Sequence, residues 1–88
     1  PVVVDDPELN RLRKRVLCLL QSRDPRLTLH DFRMIQGKRH INLVFDVVIP
    51  LSLEPKEEEI CRFLEDTLNA EGEVTYHVVA TFDTAEFN

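Results

Sequence analysis

Apolar residues recur at steps of three and four near the start of the chain. Leu9, Leu12, Val16, Leu19 and Leu20 fall on one stripe of a helix. Asp6-Pro7-Glu8 supplies its start: an N-cap acceptor, a proline where an N–H would have no helical partner, and an acid in the first turn. Asp24-Pro25 ends it near Ser22, because the residue before a proline is pushed out of the helical region. Residues 27–35 then read as a strand, Gln36-Gly37-Lys38 as a turn, and 40–49 as a second strand. In the second, Ile41, Leu43, Phe45, Val47 and Ile49 alternate with Asn42, Val44, Asp46 and Val48. The wholly apolar row must face the core, and Pro50 ends the strand. A second helix is predicted from around Ser52 to Pro55, with Glu57, Glu58 and Glu59 near its positive N-terminal end. Ile60, Phe63, Leu64 and Leu68 form its buried stripe, and Asn69 to Gly72 close it. A third strand over about 73–83 sets Val74, Tyr76, Val78, Ala80 and Phe82 against Thr75, His77, Val79, Thr81 and Asp83.

The order is therefore α-β-β-α-β, an α+β chain. A right-handed crossover makes strand three parallel to strand two, and the hairpin makes strand one antiparallel on its other side. Both helices then cover one face of a three-stranded mixed sheet. The opposite face, carrying Asn42, Val44, Asp46, Val48, His77 and Val79, is left open, and a half-apolar open face calls for a cover. A second copy is the economical one.

Length supports that expectation. Eighty-eight residues make a single domain, 1–88, and folding at this size buries only about 60–65% of the unfolded chain's surface. The longest apolar runs, VLCLL (16–20) and VVIPL (47–51), fall far short of a membrane span, and no secretory signal is visible. The chain opens on Pro1 rather than methionine, which reads as a piece of something larger. Cys18 and Cys61 have no CxxC spacing and sit among apolar helix positions, so buried thiols in a reducing compartment are expected. The net charge of −5 hides an asymmetry. Residues 1–39 carry nine Lys/Arg against five Asp/Glu, and residues 40–88 carry two against eleven. An acidic C-terminal half argues against nucleic acid and suits cations. The basic run RLRKR (11–15) suits either anionic headgroups or a solvated helix face.

Little else carries chemistry. Two glycines cannot build a phosphate loop, the serines lack a nucleophile elbow, and neither cysteine has a histidine near it in the pattern. An enzyme is not expected. Imidazole and carboxylate together suit zinc and other divalent first-row cations. With matched strand starts His77 falls beside Val44, and Asp46 is a diagonal neighbour roughly 7–8 Å away. The hairpin brings His30 to the other side of Val44, unless a one-residue shift at Gly37 sends it to the opposite face. His30, Asp46 and His77 are the candidate metal ligands. His40 lies about 20 Å from Asp46 along the same strand and is outside that set. The opposing reading is that these are polar residues on a wet sheet face.

The order of elements, with HDFR opening strand one, NLVFDVVIP forming strand two and YHVV in strand three, resembles the cytosolic C-terminal domain of cation diffusion facilitator transporters. The resemblance covers about residues 5–83, and H-x-N-L-x-F-D-V-V-x-P is its most specific part, similar to a bacterial branch of that family. It implies a ferredoxin-like, metallochaperone-like sandwich that dimerises on the cytoplasmic face of the membrane. An N-terminal six-helix membrane part, covalently linked, would export divalent cations in exchange for protons. It also implies zinc ligands from a strand-one His, a strand-two His and a strand-three His-x-Asp. His30 and His77 match. The strand-two His falls on Val44, the Asp falls on Val79, and a helix-two ligand of some members falls near Glu58 or Glu59. Either Asp46 and Asp83 substitute or the domain binds metal weakly or not at all. Zn²⁺ heads the candidate cations, with Mn²⁺, Fe²⁺, Co²⁺ and Cd²⁺ left open. The runner-up expectation is a free-standing ferredoxin-like module, a metallochaperone or small-ligand sensor, although the CxxC pair of such a chaperone is missing.

Overall fold

The computed structural model describes residues 6–85. Helix α1 (Pro7–Arg23) is followed by β1 (Thr28–Gln36), β2 (Ile41–Pro50), a 3₁₀ segment (Leu51–Lys56), α2 (Glu57–Ala70) and β3 (Tyr76–Ala85). Asp6 caps α1, its Oδ1 accepting from the Glu8 and Leu9 amides at 3.0 and 3.3 Å. The helix runs past Ser22 because the Asp24 amide still donates to the Leu20 carbonyl at 3.1 Å. Leu12, Val16, Leu19 and Leu20 are buried, and Leu9 packs against them half-buried. Cys18 corrects the expectation of two buried thiols: it is exposed, and Cys61 is half-buried. Position 18 projects away from the Leu12–Val16–Leu19 stripe, so being near apolar residues in sequence does not bury it.

β1 pairs antiparallel with β2, and the Gly37 amide donates to the His40 carbonyl at 2.8 Å, which leaves only Lys38 and Arg39 in the turn. A Cβ on Gly37 would stand 2.9 Å from the His40 oxygen, so the close approach requires glycine there. The one-residue shift that matters lies further back, at Asp31. His30 partners Asp46 but Arg33 partners Val44, so Asp31 and Phe32 together oppose Phe45. Asp31 sits at φ 54°, the one positive φ among the described non-glycine residues. The bulge resets the alternation. Leu29, Phe32 and Met34 all reach the core, while His30 and Arg33 stay on the open face. Phe32 stacks on Phe45 with ring centroids 5.6 Å apart.

Asp31→Val tests the bulge. The side chain is exposed, so the cost comes from forcing a β-branched residue into the left-handed region, about 1–2 kcal/mol. Thermal melting should fall by roughly 4–8 °C per kcal/mol lost, with Asp31→Gly at or above the parent. Equal melting of the valine and glycine variants would show that the backbone there does not need the bulge.

β2 and β3 run parallel, and the sheet order is β1-β2-β3. The inner row of β2 meets Ile60, Leu64 and Leu68 of α2 and the α1 stripe in one core. Both helices therefore cover one sheet face, as the α-β-β-α-β order requires. Arg23 ties α1 to α2 by pairing with Glu59 and lying 4.7 Å over the Phe63 ring, and Arg15 pairs with Glu71 just past α2. Two boundaries differ from expectation. α2 proper starts at Glu57 because Leu51–Lys56 form 3₁₀ turns around Pro55. β3 starts at Tyr76, not near 73, and Val74 is exposed rather than inward-facing.

Candidate functional site

The open sheet face is set by register. Thr28, His30, Arg33 and Ile35 come from β1, Asn42, Val44, Asp46 and Val48 from β2, and His77, Val79, Thr81 and Asp83 from β3. Ile35 and Val79 are 49% and 42% exposed, so this face presents apolar surface to its surroundings.

His30 and Asp46 are direct register partners, an antiparallel pairing that puts Cβ atoms about 4.5–5.5 Å apart. The His30 ring already has a local partner, the Thr28 hydroxyl 3.3 Å from Nε2. His77 does not join them. It partners Asn42, whereas Asp46 partners Thr81, an offset of four residues or roughly 13 Å along the strand. This corrects the expected placement of His77 beside Val44, and of His30 on the far side of that valine. The cause lies at the two ends of the sheet. The Asn69 side chain accepts from the Tyr76 amide at 2.7 Å and donates to the Tyr76 carbonyl at 3.1 Å, so the strand cannot begin earlier. The Ile41 amide donates to the Thr75 carbonyl at 2.9 Å, which locks the parallel ladder two residues from the expected register. The Asp31 bulge supplies the other displacement. Val44 and Val79, where the family resemblance expects ligands, are themselves register partners and lie between the two histidines.

His77 has different company. Its Nδ1 is 3.2 Å from a carboxylate oxygen of Glu65 on α2, and its ring stands edge-on to the His40 ring with centroids 6.0 Å apart. His40, set apart from Asp46 by its distance along the strand, is thus a neighbour of His77 that the sequence pattern did not reveal. The Ile41–Tyr76 pairing carries the signal, since it puts the residue before β2 beside the start of β3.

The chain thus offers two separated pairs, His30 with Asp46 and His77 with Glu65. Among the described residues no group of three or more His, Cys, Asp or Glu side chains is placed to hold a metal ion. Neither pair alone is a closed coordination sphere of three or four ligands. The thiol of half-buried Cys61 is pushed up by burial and then by the charges of Glu65, Glu57 and Glu58, which keeps it protonated and a poor ligand. In the basic run, Arg11 pairs with Glu8 at 2.8 Å and Arg15 with Glu71, so Arg13 and Lys14 are the cations left for another surface.

Among the described residues no helix is long and apolar enough to cross a membrane. No protein-family model matches the sequence, and no curated protein matches it. Among solved structures, the chain superposes on that of the zinc transporter CzrB with a TM-score of 0.64, over 91% of this chain and 96% of that one, at 19% identity. The two chains share a ferredoxin-like α+β fold.

Proposed function

We propose that this chain is the dimerising, metal-responsive cytosolic domain of a divalent-cation efflux transporter, joined to an N-terminal membrane part that performs cation/proton exchange. The observation that carries the proposal is the superposition on CzrB across nearly the whole of both chains. The half-apolar open face supports the dimer, since among the described residues Ile35 and Val79 are exposed on it and Val44 and Val48 are only half-buried. Charge supports it as well: β1 brings His30 and Arg33 to this face and β3 brings Asp83, so opposed copies can match unlike charges.

In this reading a divalent cation joins a half-site of one protomer to one of its partner. His30, Asp46 and His77 are the ligands offered, with Zn²⁺ first among the candidate ions. Binding shifts the pair toward the arrangement that completes the coordination sphere, and only by the difference in affinity between the open and closed arrangements. The role is binding and regulation, not catalysis.

Calorimetric titration with Zn²⁺ and Mn²⁺, run beside sedimentation, tests this. A dimer is expected whose metal affinity falls at least about ten-fold, roughly 1.4 kcal/mol, in His77→Ala or His30→Ala. Absence of heat with either ion would remove the metal role, and a monomer at all concentrations would remove the dimer.

A further inference from the structure

β3 is an edge strand, and only part of its outer edge is used. The Thr75 carbonyl points at β2, so in a parallel ladder the odd residues of β3 face β2 and the even ones face outward. The first outward groups are occupied by α2. Asn69 takes both groups of Tyr76, and Glu65 accepts from the Val78 amide at 2.8 Å. Beyond that point the protection stops. The Val78 carbonyl, both groups of Ala80 and Phe82, and the Thr84 amide have no partner among the described residues.

A groove of about 410 Å³ runs beside this stretch. Ala80, Phe82 and Cys61 give it an apolar floor; Glu57, Glu58 and Glu65 line it with carboxylates, against the single cation Arg62. A strand edge beside a helix-walled groove is the arrangement in which an added strand gains main-chain bonds and places alternate side chains in the groove.

We infer that the outer edge of β3 from Val78 to Thr84, with the groove beside it, docks an extended lysine- or arginine-bearing peptide segment as a fourth strand. Its backbone pairs with Ala80 and Phe82, its small apolar side chains cover the floor, and its cations meet Glu57, Glu58 and Glu65. Charge selects this occupant over a second copy of the chain. Two copies joined edge to edge about a two-fold axis would bring their α2 carboxylates together, a like-charge juxtaposition that is costly. The surface lies along the strand edge rather than on the open sheet face and shares only Glu65 with the His77 pair, so peptide binding is measured without metal.

The ¹⁵N-labelled chain titrated with the peptide Lys-Thr-Val-Thr-Lys-Thr, whose lysine and valine side chains share one strand face, tests the inference. Saturable shifts and slowed exchange are expected at the Ala80, Phe82 and Thr84 amides, with no binding of the counterpart that carries glutamate in place of each lysine. Glu58→Lys, at an exposed position, should weaken binding about five- to ten-fold. Ala80→Pro should abolish it while the fold is kept, because the amide removed points away from β2. Shifts scattered over the surface, equal binding of the acidic peptide, or unchanged affinity in Glu58→Lys would overturn the proposal. So would concentration-dependent shifts of the same amides without peptide, which would assign the edge to a second copy.

Discussion

Phe45→Ala is expected to remove most of the domain's stability. Phe45 is 1% exposed at the centre of the middle strand, and its ring stacks on Phe32. Truncating a buried phenylalanine costs about 3–5 kcal/mol, part transfer and part cavity. A domain of this size has only roughly 4–13 kcal/mol in total. The cavity would open between the two helices and all three strands, where no single neighbour can collapse into it. Melting should drop by roughly 15–30 °C, and Phe45→Leu should recover more than half of the loss. A drop below a few degrees would mean that the ring stack is not the centre of the core.

The second large effect is a gain. Val44→His combined with Val79→Asp should raise zinc affinity at least about 100-fold, roughly 2.7 kcal/mol. The two positions are register partners on the open face, His77 lies two residues from Val79 on the same strand face, and His30 is diagonal to Val44 across the bulge. The new side chains would fill the gap that now separates His30 from His77 and create a three-ligand cluster, which the described residues lack. Calorimetry on the double variant and each single variant checks this, with cooperativity between them expected because the new side chains would share one ion. An affinity unchanged from the parent would show that the sheet face cannot gather ligands around one cation.

Much of the fold was legible because period and punctuation agree. The three- and four-residue steps of α1, the strict alternation of β2, Asp6-Pro7 and Pro50 all point to the same elements, and the crossover rule converts their order into a topology. The register was less legible. Asp31 carries no mark of a bulge in its identity alone, since aspartate tolerates a positive φ without demanding it. Val74 continues the alternation of β3 in sequence, yet the strand begins only where Asn69 of α2 holds Tyr76.

The candidate site suffered from this directly. The side-chain alternation of a strand says which face a residue takes, and Asp46 and His77 are on the open face as their positions imply, whereas His30 is there because the Asp31 bulge breaks its alternation with Phe32 and Met34. Alternation says nothing of how far one strand has slid past another by an even number of residues, because such a slide keeps every side chain on its face. A slide of two residues separates His77 from Asp46 and sets it beside Glu65 and His40 instead. Local pattern thus decided the elements, their order and the faces of β2 and β3. Register, the Asp31 bulge and the half-capped edge of β3 depend on hydrogen bonds between residues far apart in the chain, and only the folded molecule brings those together.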